Sequence, residues 1–547
     1  MITSELKNTL PRKPMQKFYV LLTSITILVS VLITSCDRHT RPSAKSALDP
    51  HLQGSINLRS NLPFDSVLVV DFFQSYPGLK KYEENVTSIY RKQKFNHIWF
   101  DNKGVVEFGN ALYSKSKNLE PEGISSIFPY QDKINSVFEY ELENKLTKTE
   151  TELMLTSLFL YYTDKVYNGL DEKITSAMGW LLPRKQLSYN DLLDSVFINP
   201  DTANQSEKVL FGQYFKLRTV LQQYREIEKT GLWKPIDLDP KVKVYKRGDT
   251  ARAIRQIRER LFLTGDIKKN DCSNRFDTEL VAAIKNYQRR NGKNPTSSIT
   301  PKLINELNVP IGELIMQIMV NMERCRWISP EIVDAKEMIF VNIPSYKLNF
   351  YRDGLNELES PVVVGKTMTK TVIFGGKMSY IVFSPYWNLP QNIINQEVKP
   401  GMAKDTNYLV SHNMEWNNGQ VRQKPGKKNS LGLAKFMFPN SNEIYLHDSP
   451  SKSLFDRESR AFSHGCVRVG RARDLAISIL KDDPDWTPGK IDAAMHSGKE
   501  SICLLKNKIP VYIGYFTAWV NEKGEIEFYE DIYEKDKNLA NLMIANQ

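Results

Sequence analysis

Cysteine and histidine are both scarce, with 5 Cys and 7 His in 547 residues. The cysteines (Cys36, Cys272, Cys325, Cys466 and Cys503) lie far apart and form no CxxC pair, which argues against a disulfide framework and a paired-thiolate metal site. No glycine-rich phosphate loop or zinc signature is present, so no metal and no cofactor are expected. Long basic blocks are missing too. The 74 Lys+Arg against 63 Asp+Glu give +11, spread thinly along the chain. Nucleic-acid binders concentrate their charge, so nucleic acid is not an expected partner; a mild cation suits anionic lipid or an acidic wall polymer. What the chain does have is apolar mass. At 41% hydrophobic and 11% aromatic, its length supports about two to four compact units.

From Phe18 to Thr34 the sequence carries no charge, and Arg12, Lys13 and Lys17 precede it. A positive region followed by an apolar one is an export signal. A transmembrane anchor is the alternative, but 17 residues with several Ser and Thr are short for a span. The segment ends Ile33-Thr34-Ser35-Cys36, which resembles the bacterial lipobox. That resemblance implies a signal peptide over 1–35, lipidation of Cys36, and a polar tether over 36–60. The chain is then a membrane-anchored lipoprotein of the cell envelope, facing the periplasm.

Residues 61–237 alternate apolar helical patterns with short loops and carry no catalytic signature, which predicts a mostly helical scaffold. His97 reads as a structural histidine. The pattern changes near 240. One predicted helix carries Ile254, Ile257 and Leu261; a second, capped by Asp277, carries Leu280, Ile284 and Tyr287; a third starts at Thr300-Pro301. This three-helix bundle over 238–310 resembles a peptidoglycan-binding module, and such modules also serve as spacers. A connecting helix follows over 311–331, with Cys325 packed on it.

From Met338 the apolar period becomes two, predicting a β-rich domain over 332–547. Within it stand Tyr445-Leu446-His447-Asp448 and Ser463-His464-Gly465-Cys466-Val467-Arg468. A thiol needs a base to act as a nucleophile near neutral pH, and two histidines lie within 20 residues of Cys466. Gly465 lets the backbone approach a carbonyl, and amides there are candidates for an oxyanion hole. These elements suit acyl transfer through a thioester. A metal site from His447, His464 and Cys466 is the competing arrangement, although no second cysteine or paired-ligand spacing supports it. Cys503 reads as core, His412 and His496 as exposed, and Cys272 has no inferred role.

His447, 15 intervening residues, then SHGC resembles the signature of the L,D-transpeptidases with a YkuD-type catalytic domain. Arg468 stands where many members have Asn, as in the large YcbB-like subgroup that carries a scaffold and a peptidoglycan-binding module. NMERCRW, IPSYKLNFY and PYWNLPQNIINQEVKP add to the likeness. The resemblance implies a multidomain α+β protein that joins peptidoglycan stem peptides, donor to acceptor, in 3→3 crosslinks, with release of D-alanine. It implies Cys466 as nucleophile, His447 as its base, and the Asp448 carbonyl orienting the imidazole. Gly465 and Cys466 amides would hold the oxyanion. Tyr445 would assist there, His464 and Arg468 would shape the site, Arg468 by gripping a substrate carboxylate, and Tyr445, Ser463 and Asp448 would join Arg468 in contacting the substrate. It further implies a mobile lid over about 392–440 and acylation by carbapenems. Hydrolysis of the same thioester (an L,D-carboxypeptidase), attachment of proteins to the wall, or a non-catalytic wall tether remain the alternatives.

Overall fold

The computed structural model describes residues 62–545, apart from 102, 140–145, 186, 199–208, 330–331 and 333–334. The signal segment, Cys36 and the tether lie outside the described residues. At the centre of the helical region is Lys148–Thr163, opened by a capping box in which Thr147 and Glu150 satisfy each other's backbone N–H groups. Almost every residue of this helix from Thr151 onward is buried, the pattern of a helix surrounded on all sides. It carries Glu152, a fully buried carboxylate that accepts from the Tyr90 hydroxyl (2.8 Å) and the Ile98 and Trp99 amides (2.5 and 3.1 Å). Burial nonetheless pushes this carboxyl up to about 7.

The scaffold and the C-terminal part share a core, while the module between them has its own. One continuous apolar cluster runs from Val69 through the helix Ile311–Trp327 to Met543. The strand Trp180–Leu181 even joins the main sheet, parallel to Ile373–Phe374. The connecting helix is the seam between the two parts, and its end is charged. Glu323 accepts from Leu170 N (2.6 Å) and Trp327 Nε1 (2.9 Å) and pairs with Arg326 (2.8 Å). Arg326 also donates to the carbonyls of Val166 (3.0 Å) and Glu122 (2.6 Å). Arg324 pairs with Asp536 at 2.7 Å, which ties down the C-terminal helix Asp536–Ala545.

The C-terminal part closes on itself. Neighbouring strands are Ala434–Met437, Leu446–His447, Val467–Val469, Leu355–Gly365, Lys347–Arg352, Glu337–Asn342, Ser501–Gly514 and Ile373–Phe383; the last pairs back with Ala434–Met437, completing an eight-stranded ring. Its inner face is apolar because alternate residues point inward: Phe436, Leu446 and Val467 form one such row. Helices Ala472–Ile479 and Pro488–His496 belong to this otherwise β-rich part.

The three-helix module forms as the sequence predicts, over Arg252–Leu263, Thr278–Arg290 and Pro301–Leu307. Asp277 and Thr300 cap their helices, and Ile254, Ile257, Leu261, Leu280 and Ile284 fill its own core. It docks on the hairpin Ala518–Val520/Ile526–Phe528, where Asn291 Oδ1 accepts from Phe528 N at 2.8 Å.

The insertion is a folded cap. Leu389, Ile393, Ile394, Val398 and Val421 make a small core of their own, beside a three-stranded sheet of Trp387–Asn388, Gln420–Gln423 and Met414–Asn417. Its expected end at 440 is too late: Ala434–Met437 is a barrel strand, fixed on both sides by ladder pairing.

Candidate active site

Register builds the site. Lys435 is the direct partner of His447, and His447 of Arg468, on three adjacent strands. Direct partners share a face, so these three side chains form one row on the outside of the ring, opposite the apolar row Phe436, Leu446 and Val467. Cys466 lies in the bend just before the strand Val467–Val469, with its thiol close to Tyr445, Lys435 and Arg468.

His447 is buried, and its Nδ1 lies 2.5 Å from the Asp448 carbonyl. A carbonyl only accepts, so Nδ1 carries the hydrogen and Nε2 keeps its lone pair. Burial, and then the Arg468 guanidinium, hold this imidazole down to about 3, so it is neutral at working pH. Burial pushes the Cys466 thiol up, while hydrogen bonding to Tyr445 and the charges of Lys435 and Arg468 pull it back. Its Sγ points toward the Glu443 carbonyl at 3.9 Å. Arg468 Nε is buried and, among the described residues, has no hydrogen-bond partner.

The nucleophile segment is braced from below. Gly465 has φ +122°, a conformation only glycine adopts without strain. Thr371 Oγ1 donates to the Gly465 carbonyl (2.8 Å) and accepts from Gly365 N (2.9 Å). The Tyr533 hydroxyl in turn accepts from Thr371 N at 3.1 Å.

Four expected roles change. Ser463 Oγ donates to the Cys466 carbonyl (2.6 Å) and accepts from the Gly465 amide (3.2 Å), so Ser463 is a brace and not a substrate contact. The same bond occupies the Gly465 N–H that was expected to face an oxyanion. The Asp448 carboxylate is turned into the framework, accepting from Leu433 N (2.9 Å) and Lys452 (2.5 Å); only its backbone carbonyl serves the site. His464 is half-exposed and faces Glu397 of the cap at 3.6 Å. The metal arrangement fails on the same geometry: among the described residues no three His, Cys, Asp or Glu side chains converge. Tyr445 hydrogen-bonds Cys466, and its ring lies 5.7 Å from that of His447. Lys435 and Thr371 went unread; a lysine alternating with buried residues in AKFMF is the trace that Lys435 left.

Residues 336–488 match the family model of the L,D-transpeptidase catalytic domain, YkuD, and residues 84–221 match that of a Scaffold domain. This chain carries a YkuD catalytic domain. A relative from Haemophilus influenzae, named "Putative L,D-transpeptidase", is 38% identical over 254 residues, which is 42% of this chain and 50% of that protein. The chain thus spans about half the length of this curated relative. Among solved structures, an L,D-transpeptidase from Stackebrandtia nassauensis is 14% identical, covering 51% of this chain and 97% of its own, with a TM-score of 0.21. One from Xylanimonas cellulosilytica is 11% identical, covering 51% and 100%, with a TM-score of 0.18. Overlays this loose carry no structural weight.

The YkuD site and the scaffold leave opposing marks on acid stability. His447 binds its proton less tightly in the fold than in the unfolded chain, so stability rises with pH from about 3 to 6.5 by roughly 1.4 kcal/mol per unit. Glu152 binds its proton more tightly in the fold, so between 4.5 and about 7 its contribution falls by the same amount. From pH 4.5 to 6.5 the two cancel. Glu152→Gln is expected to expose the histidine slope, and thermal melting should then drop more steeply with acid than in the unsubstituted chain.

Proposed function

We propose that this chain is an L,D-transpeptidase that forms 3→3 peptidoglycan crosslinks through a Cys466 thioester. The observation that supports it most is the register pairing of His447 with Arg468 beside the Cys466 thiol, with a neutral imidazole whose Nδ1 is held by the Asp448 carbonyl.

In this reading the donor's terminal carboxylate lies against Arg468, whose buried Nε is otherwise unmatched. Cys466 attacks the carbonyl of the third stem residue; the S–C bond forms as the thiol proton moves to His447. The tetrahedral oxyanion is held by the Cys466 amide with help from Tyr445. The C–N bond to D-alanine then breaks, and His447 returns its proton to the leaving amine. An amine from a neighbouring stem then attacks the thioester carbonyl; the C–N bond forms as the C–S bond breaks, and the amine's proton passes by way of His447 to the departing Cys466 sulfur, which completes the crosslink. The cap, through Glu397 facing His464, acts as a lid over this sequence of steps.

Mass spectrometry of the purified chain with a disaccharide tetrapeptide tests the reading. A 3→3 dimer with loss of D-alanine is expected. D-alanine release without dimer would replace transpeptidation by carboxypeptidase action. A carbapenem should add its own mass to the chain at Cys466; an unshifted intact mass would count against an accessible thiol. Anchoring in the envelope rests on Cys36. Cells fed an alkyne fatty acid are expected to label the chain, and Cys36→Ala should abolish the label.

A further inference from the structure

We propose that Lys435 is the positioning residue that makes Cys466 reactive, its ammonium held over the Tyr445 ring where it stabilises the Cys466 thiolate. The assignment rests on Cys466 being the nucleophile and adds a residue to the reaction that no motif marks.

Three observations meet at this side chain. Its Nζ lies 4.0 Å from the Tyr445 ring centroid, and the same tyrosine hydrogen-bonds Cys466. Its backbone is the register partner of His447 and of Val382, so the strand Ala434–Met437 is held on both sides and the ammonium has a fixed origin. Among the described residues it makes no ion pair, although it is half-buried. A lysine drawn out of water without a carboxylate is a cost that folding alone gives no reason to keep. The groups that face it are Cys466 and Arg468 from the nucleophile segment, Tyr445 and His447 from the adjoining strand, and Glu500 beside the strand Ser501–Gly514. Glu500 is already engaged, accepting from Tyr386 N at 2.7 Å.

The charge arithmetic follows. With thiol and imidazole both neutral, Lys435 faces no anion of its own. When the sulfur ionises and its proton passes to His447, a cation–anion pair forms in a site poor in water, where the attraction is strongest. Lys435 therefore favours the thiolate, and the Tyr445 face keeps the ammonium from swinging out to solvent. Burial lowers the lysine's own affinity for its proton, and the thiolate restores it, as expected for a cation whose natural partner is that sulfur.

The test is alkylation of Cys466 by iodoacetamide as a function of pH, on the purified full chain, read by mass spectrometry of the peptide that contains Cys466. Lys435→Met is expected to move the midpoint of the rate profile upward by about one unit or more, and to slow alkylation about tenfold at any pH below both midpoints. Lys435→Arg should restore the profile to near that of the unsubstituted chain. An unchanged midpoint in a folded Lys435→Met chain overturns the proposal. Should that variant not fold, Lys435→Gln is read in the same way; failure of both to fold would make Lys435 a structural residue and overturn the proposal as well. No stem peptide enters this measurement. A chain that shows the shift yet crosslinks nothing would overturn the transpeptidase reading and leave the Lys435 assignment standing.

Discussion

Serine in place of Cys466 is expected to lower thioester-type acyl transfer from a stem tetrapeptide by on the order of ten thousandfold, with no change in melting temperature. The hydroxyl is far less acidic than the thiol. A neutral, deeply depressed imidazole such as His447 is too weak a base to ionise it. His447→Gln should cost on the order of a hundred- to ten-thousandfold, because Lys435 and Arg468 still favour the thiolate when the base is gone. The measurement is single-turnover release of D-alanine, which separates acylation from the later attack of the acceptor. Equal rates for Cys466→Ser and the unsubstituted chain would remove Cys466 from the reaction. The two core cysteines offer no substitute: Cys325 is fully buried, and burial pushes the Cys503 thiol up to about 11.

The largest expected effect on stability lies elsewhere, at the seam between scaffold and barrel. Arg326→Ala should destabilise the chain by about 3–5 kcal/mol, because it leaves the buried Glu323 carboxylate without its cation and the carbonyls of Val166 and Glu122 without a donor. Urea unfolding followed by tryptophan emission checks this directly, since Trp327 donates to the same carboxylate. Replacing both members of the pair with methionine should recover only part of the loss. Leu170 N and Trp327 Nε1 would still lack the acceptor that Glu323 provides. A loss below about 1 kcal/mol for Arg326→Ala would mean that water reaches the pair.

How far the sequence could be read depended on how local each signal was. Asp277 and Thr300 announce their helices because a cap acts within three residues, and both bonds are present. The turn to period two at Met338 announces strands for the same reason. Closure of the ring could not be read, since it depends on Ala434–Met437 meeting Tyr380–Phe383 about fifty residues away, across the cap. Ser501–Gly514 reads as two pieces because Lys506-Asn507-Lys508 interrupts the apolar alternation; in the fold it is one strand with an irregular register between Leu504 and Ile509. At the site, SHGC and the distant histidine were legible because nucleophile chemistry limits residue types so narrowly. Ser463, His464 and the Asp448 carboxylate were over-read: a motif names its members without saying which way they turn. Lys435 was missed because a single lysine in a short strand looks like solvent-facing alternation until its neighbours across the ladder are known.

The way the cap leaves and rejoins the ring has one more consequence. Phe383 and Ala434 are direct register partners, so the chain departs and returns at one point on the barrel wall, with Ser384 N donating to the Leu433 carbonyl just beyond the ladder. A segment whose two ends stand one strand spacing apart is an exchangeable cassette: it can be shortened, lengthened or swapped without retuning the strands on either side. The same seam that carries Lys435 thus holds the row of Lys435, His447 and Arg468 in place while leaving what sits above it open to variation.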